Sequence, residues 1–134
     1  MTELADIEVI AFDTGGTVLD WHSGLCTAMA EWGTVHGIER DWHVIANEHR
    51  RRSLRRMTNT VEPAFNIDDV HRDVLGELFD EHGLGGSPDE RQQIARCWHG
   101  LDAWPDFAPA LQAAAGCRRN CACLHDLWRR PDPG

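Results

Sequence analysis

The chain has 134 residues, enough for one modest domain. It contains 22 acidic residues and 13 basic ones, all of them arginine, so its formal net charge is −9 at pH 7. This charge is unfavourable for binding nucleic acid or an anionic membrane. The absence of lysine and tyrosine excludes Schiff-base chemistry, a P-loop lysine and a tyrosine acid or base.

The hydropathy of the sequence predicts a cytoplasmic protein. No stretch approaches about 18 consecutive apolar residues, so no transmembrane helix is expected. The N-terminus, MTELADIE, is acidic and lacks the apolar core of a signal peptide. Five cysteines, an odd number in a chain without a signal peptide, argue against a disulfide framework.

The first predicted element is a buried parallel strand over Ile7 to Phe12, an apolar run that ends at Asp13. Thr14-Gly15-Gly16-Thr17 follows as a tight loop, because paired glycines permit backbone angles that other residues resist. An aspartate at the end of a buried strand lies where open α/β sheets bind ligands, and such a turn can point N–H groups at an anion. Asp13 is therefore a candidate nucleophile, and Thr17 is expected to hold either the loop or the carboxylate by hydrogen bonding. The alternative is an aspartate that only caps the turn.

Two amphipathic helices are predicted after this loop. The first begins near Ser23, which would cap it, and stops at Gly37. The second runs from Asp41 to about Met57. We expect the arginines between Arg50 and Arg56 to form its solvated face.

Three more helices follow. The third begins near Asn66 and stops at Gly83, a favoured residue just past a helix end. Its spacing predicts a strong apolar stripe of Ile67, Val70, Val74, Leu75, Leu78 and Phe79. The fourth begins with the capping box Ser87-Pro88-Asp89-Glu90, which has proline at the first helical position. A short fifth helix is predicted from Phe107 to Ala115. The expected buried face of the fourth helix is Ile94, Cys97, Trp98 and Leu101.

The C-terminal segment breaks this pattern. Its last 18 residues contain no valine or isoleucine but hold four arginines, three cysteines and two prolines, so no strand is predicted there. Residues 116–134 are expected to form a disordered tail. A zinc site is the alternative, although the spacing C-x3-C-x-C-x-H is more cramped than common zinc patterns. Its ligands would be Cys117, Cys121, Cys123 and His125. The other histidines form no HExxH motif and no compact cluster with carboxylates, so no metal site is predicted among them.

Three segments carry a family resemblance. AFDTGGTVLDWHSG resembles the first motif of the haloacid dehalogenase superfamily, and more narrowly that of the type II haloacid dehalogenases, with its run into a helical cap. NIDDVHRDVLGELFDEHGL and WHGLDAWPDFAPAL are similar to the later cap helices and the return to the core. The resemblance covers roughly Ile7 to Leu111. It implies an α/β, haloacid dehalogenase-like fold with the first core strand, the nucleophile loop and a helical cap, but an incomplete core.

The resemblance also implies a division of the chain. Residues 1–20 would begin the Rossmann-like core, 21–104 would form the cap, and 105–115 would return to the core as a helix. Residues 116–134 would be the atypical tail. Trp21 and Trp104 flank the expected junctions between core and cap, which makes them candidates to line the site.

The chemistry implied by the resemblance is hydrolysis of a short 2-haloalkanoate. Asp13 would displace halide from C2, and water would hydrolyse the resulting ester, with Thr17 matching the threonine of the motif. Thr14, Gly15 and Trp21 would contact the substrate. The family also uses an arginine early in the cap, for which Arg40 is the best-placed residue. The alternative for that side chain is a solvated arginine between two helices. The reaction would need no cofactor and no metal.

Two further functions stay open. Phosphate-transferring members of the superfamily usually have a second aspartate where this chain has Gly15, which argues against a phosphatase. The helices could instead form a non-catalytic interaction module in which Asp13 is dispensable. The family's later motifs, including a lysine, are absent, which predicts a truncated or frame-shifted gene product. An incomplete core would expose apolar surface, which would favour a homodimer through the cap helices.

Overall fold

The computed structural model describes residues 6–60, 65–116 and 120–123, the last four by their backbone. The elements are strand β1 (Val9–Phe12), helices α1 (Trp21–His36), α2 (Trp42–Asn59), α3 (Ile67–Glu81), α4 (Pro88–Ala95), a 3₁₀ helix (Arg96–His99), α5 (Phe107–Gly116) and strand β2 (Asn120–Cys123). The chain divides into two compact units. We call Met1–Trp21 with Asp102–Gly134 the strand unit, and His22–Leu101 the helical unit. Within the described ranges, no helix is both long and apolar enough to cross a membrane.

The strand unit contains a parallel pair of strands, so the prediction that no strand follows the last helix is wrong. Strand β2 pairs with β1 from Val9 opposite Asn120 to Phe12 opposite Cys123. The ladder of a sheet is built from backbone N–H and C=O groups, so a segment without β-branched residues can still supply it. The expected disorder of this tail is therefore contradicted at 120–123, while 117–119 and 124–134 lie outside the described residues.

The prediction that β1 is a buried strand is also wrong. Val9 is 56% exposed, and Ile10 and Phe12 are only half-buried. A sheet of two strands leaves much of each face open, in contrast to the covered sheets of larger α/β proteins. The Phe12 ring meets Phe107 of α5 edge to face, with the ring centroids 5.5 Å apart.

The helical unit has a continuous hydrophobic core. Leu25 and Met29 of α1, Ile45 of α2 and Phe79 of α3 are almost completely buried in it. The predicted apolar stripe of α3 is confirmed, because five of its residues are buried: Val70, Val74, Leu75, Leu78 and Phe79. Burial of these large side chains supplies the main driving force for folding this unit.

Most predicted helix ends agree with the structure. The capping box is present, since the Glu90 N–H donates to Ser87 Oγ at 3.2 Å and the Ser87 N–H donates to Glu90 Oε2 at 2.7 Å. Gly37, with φ +67°, follows the last residue of α1. The predicted start near Ser23 is wrong, because α1 begins at Trp21.

The fourth helix is shorter than expected, since its predicted buried face extended to Leu101. It ends at Ala95, and the chain tightens into the 3₁₀ helix before Gly100. Of its expected buried face, Ile94 is buried, while Cys97, Trp98 and Leu101 are half-buried. A tighter last turn is common at helix ends and rotates the following side chains away from the original face.

The arginines of α2 are more than a solvated face. Arg52 binds Glu48 on its own helix and both carboxylate oxygens of Glu81 on α3, and Arg56 binds Glu77 on α3. Hydrogen bonds from Arg51 and Arg52 lower the pKa of the Glu48 carboxyl to about 2. Partly exposed ion pairs contribute little stability individually. This network nevertheless connects α2 to α3, so these arginine side chains do more than face solvent.

Substitution by alanine is expected to have opposite effects on stability at two helical glycines, Gly33 and Gly76. An alanine Cβ at Gly33, buried in α1, would lie 2.5 Å from Trp42 Cζ2 and 2.6 Å from the Ile38 carbonyl oxygen. At Gly76 in α3 its nearest neighbour would be Arg91 Nη1, at an ordinary 3.7 Å. We expect Gly33→Ala to destabilise the protein by about 1–3 kcal/mol through overpacking. Gly76→Ala should stabilise it by up to about 1 kcal/mol through helix propensity.

Urea unfolding followed by circular dichroism measures both variants on one scale. Gly76→Ala is the matched control, because both changes add one methyl group to a helix. Equal stability of the two variants would contradict the close approach at Gly33.

Candidate functional site

The loop after β1 folds back so that Thr17 meets Asp13. The Val18 and Leu19 N–H groups both donate to the Thr14 carbonyl at 3.0 Å, and the Gly16 N–H donates to the Leu19 carbonyl at 3.0 Å. Thr17 Oγ1 then donates to Asp13 Oδ2 at 2.8 Å. Of the two roles expected for Thr17, to hold the loop or the carboxylate, this hydrogen bond shows the second.

Gly16 allows the turn in this loop. It has φ +95°, in the left-handed region that favours glycine, and it is the residue of the glycine pair that needs this freedom. A Cβ at Gly16 would lie 3.3 Å from the indole Nε1 of Trp21. Of the predicted substrate-binding residues, Trp21 therefore lies against the loop. Gly15 is half-buried within it, and Thr14 is buried with its carbonyl closing the turn.

A second segment, residues 102–104, holds the loop in place. The Trp104 indole N–H donates to the Gly16 carbonyl at 2.9 Å, and its backbone N–H donates to the Val18 carbonyl at 2.9 Å. The Asp20 N–H donates to the Asp102 carbonyl at 2.9 Å. Sequence reasoning considered Trp104 only as a lining residue. Trp104 lies 88 residues from Gly16 in the sequence, so no local pattern could indicate that it holds the loop.

Arg40 belongs to the helical unit. It is exposed in the connection between α1 and α2, and its Nη1 donates to the Glu39 carbonyl at 2.9 Å. The structure thus brings Asp13, Thr17 and Trp21 into one loop region within the strand unit. The role of Arg40 towards a substrate stays a prediction.

The geometry around Asp13 suits a nucleophilic carboxylate. Oδ2 is held by Thr17, while Oδ1 accepts no hydrogen bond from the described part of the chain. The residue is exposed, so a small molecule can reach it. A carboxylate oriented in this way can attack an electrophilic carbon and form an ester.

Among the described residues, two histidines and a cysteine form a compact cluster that the sequence spacing did not indicate. One nitrogen each of His22 and His43 and the sulfur of Cys26 all lie within 4.8 Å of one another, in the helical unit. The expectation concerned clusters of histidine with carboxylates, and this group contains none, so the expectation did not cover it. The alternative zinc ligands of the C-terminal tail lie outside the described side chains.

Comparison with known proteins finds similar structures. No protein-family model matches the chain, and no curated protein sequence matches it. The defluorinating L-2-haloacid dehalogenase Rha0230 is 31% identical with a TM-score of 0.78, over 88% of this chain and 50% of its own length. The L-2-haloacid dehalogenase PA0810 is 26% identical with a TM-score of 0.70, over 95% of this chain and 66% of its own.

A third structure is the L-2-haloacid dehalogenase from Xanthobacter autotrophicus with chloropropionic acid covalently bound. It is 18% identical with a TM-score of 0.70, over 88% of this chain and 46% of that one. At this identity the likeness concerns the fold alone. The chain therefore spans about half to two-thirds of the length of these three dehalogenases.

Proposed function

Since this chain is a dehalogenase-like protein of the haloacid dehalogenase superfamily, we propose that it is a hydrolase of carbon–halogen bonds acting on short 2-haloalkanoates. The observation that carries this proposal is the Asp13–Thr17 pair. The carboxylate of Asp13 follows the first strand, Thr17 holds one of its oxygens, and the residue is exposed. Three related structures are of L-2-haloacid dehalogenases, and one of them holds chloropropionic acid covalently.

The proposed reaction has two steps. Asp13 Oδ1 attacks C2 of the substrate, and the halide leaves with the electron pair of the broken bond. Water then attacks Cγ of Asp13 in the ester, the carbonyl carbon of that group. This step releases a 2-hydroxyalkanoate and a proton, and it restores the carboxylate. Halide leaves as an anion and needs no general acid, which fits Gly15 at the position of the phosphatase aspartate.

Other parts of the chain have supporting roles in the proposed reaction. The helical unit acts as the cap, and Arg40 neutralises the substrate carboxylate or the departing halide. The Thr14–Gly15 segment and Trp21 border the substrate. Trp104 is a positioning residue, because its two hydrogen bonds hold the carbonyls of Gly16 and Val18. No cofactor or metal takes part in this reaction.

Halide release from 2-chloropropionate by the purified full chain tests the proposal. We expect chloride and lactate in equal amounts, without added Mg²⁺. A phosphatase would instead release phosphate from a phosphate ester in a Mg²⁺-dependent manner. A folded protein that releases neither product would support the non-catalytic interaction module instead.

A further inference from the structure

His22, Cys26 and His43 form a group of potential metal ligands outside the nucleophile loop. His22 and Cys26 are four residues apart on α1, a spacing that places two side chains on one face of a helix. His43 lies in the first turn of α2. All three belong to the helical unit, so their arrangement is a property of that unit alone.

The distances are close to those of a tetrahedral metal site. Cys26 Sγ lies 3.9 Å from His22 Nε2 and 3.7 Å from His43 Nδ1. Around a tetrahedral Zn²⁺ with bonds of about 2.3 Å to sulfur and 2.0–2.1 Å to nitrogen, sulfur and nitrogen are about 3.6 Å apart. The two nitrogens are within 4.8 Å of each other, against about 3.3 Å expected around such an ion. The sulfur–nitrogen distances are within a few tenths of an ångström of those around such an ion, and rotation of the rings would bring the two nitrogens closer by up to about 1.5 Å.

The surroundings favour a rigid but accessible site. Cys26 is half-buried and packs against the hydrophobic core, which fixes the sulfur. The two imidazole rings are stacked with centroids 5.1 Å apart, and His43 is exposed. The core therefore holds the thiol in place, and one nitrogen of each ring lies close to the sulfur.

We propose that His22, Cys26 and His43 bind one borderline-soft divalent cation, for which Zn²⁺ is the best fit. A thiolate with two imidazoles suits Zn²⁺ and related transition metals, whereas Mg²⁺ and Ca²⁺ prefer oxygen ligands. Three protein ligands leave the fourth tetrahedral position to water. The ion would link the start of α1 to the start of α2. This inference does not depend on the proposed dehalogenase activity.

The other cysteines define the controls. Burial raises the pKa of the Cys97 thiol to about 11, so this thiol stays protonated at neutral pH and is a poor ligand. The cysteines of the C-terminal segment are the competing ligands. A variant with Cys117, Cys121 and Cys123 all replaced by serine separates that segment from the proposed site.

The experiment is titration of the reduced full chain with Zn²⁺ and with Co²⁺ as a spectroscopic substitute. In the Cys117/Cys121/Cys123→Ser variant we expect one ion per chain. The Co²⁺ form should show a thiolate charge-transfer band and the d–d bands of four-coordination. Cys26→Ser should abolish that band, and His43→Gln should weaken binding at least about 100-fold.

His43 is exposed, so His43→Gln should fold normally, and circular dichroism checks this. His82→Gln removes another exposed histidine of the same unit and should leave binding unchanged. Zn²⁺ should also raise the thermal midpoint of the wild type but not that of His43→Gln. Unchanged Zn²⁺ affinity in both Cys26→Ser and His43→Gln would overturn the proposal. So would a Co²⁺ spectrum without the thiolate band in the variant that retains Cys26.

Discussion

Asp13→Asn is expected to lower halide release from 2-chloropropionate at least about 10³-fold, to the background of the assay. An amide oxygen is a far weaker nucleophile than a carboxylate, so no ester forms. The amide can still accept the Thr17 hydrogen bond through its oxygen, and the loop should keep its conformation. The measurement is chloride release by wild type and variant at equal concentration, with circular dichroism to compare their folding.

The matched control is Asp106→Asn, which removes an exposed carboxylate from the same unit and should leave the rate unchanged. The rate of chloride release by Thr17→Val should fall between those of Asp13→Asn and Asp106→Asn, because this change removes the hydrogen bond but leaves the nucleophile.

A single turnover in H₂¹⁸O tests the ester mechanism directly. Water that attacks Cγ of the ester places the isotope in the Asp13 carboxylate rather than in lactate. Full activity in Asp13→Asn would eliminate the ester mechanism.

The helical unit is expected to lose stability as the pH falls from about 6.5 to about 4. His49 is completely buried, and its Nε2 donates to the His71 carbonyl at 3.0 Å. Its Nδ1 has no partner among the described residues, so a second proton there would be buried without an acceptor. Burial is the main reason that the pKa of His49 falls to about 4, and the neighbouring Arg50 charge adds to it.

The direction of the effect follows from proton binding. Between pH 6.5 and 4 the unfolded chain binds a proton at this imidazole, whereas the folded protein does not. The free energy of unfolding is therefore unaffected by His49 above pH 6.5 and decreases below it. A shift of this size corresponds to a loss of about 3 kcal/mol once the pH is below 4. Glu48, with its lowered pKa, contributes its own loss at lower pH, between about 4.5 and 2.

His49→Gln separates this group from the others. Glutamine offers an N–H to the His71 carbonyl but does not titrate, so the slope between pH 6.5 and 4 should become shallower. Some stability at pH 7 is lost because the ring contacts with His71 and Trp98 disappear. Urea unfolding at several pH values measures the slope, with His82→Gln as the exposed control. An unchanged slope in His49→Gln would assign the acid lability to other groups.

Local rules explain what was predicted correctly from the residues. The capping box at Ser87, the apolar stripe of α3 and the hydrogen bond from Thr17 to Asp13 all involve residues three or four positions apart. At such short separations, the local backbone conformation fixes which side chains are neighbours, so the residue types alone indicate the contact. The sequence by itself was therefore sufficient to predict these helix features and the tight loop after the first strand, while the role of Asp13 as a nucleophile stays a prediction.

Contacts between distant segments were decided by the tertiary structure. Strand β2 pairs through backbone groups, which leave no residue-specific signal in NCAC. Three of these contacts connect residues that lie 17 to 88 positions apart in the sequence. They are the ion pair of Arg52 with Glu81, the hydrogen bond from Trp104 to Gly16 and the close approach of His43 to Cys26. Which arginine meets which carboxylate depends on how the helices pack, and packing depends on the whole core. The sequence thus determined which side chains can form ion pairs, donate hydrogen bonds or bind a ligand. The tertiary structure decided which of these side chains come into contact, because that depends on how distant segments pack.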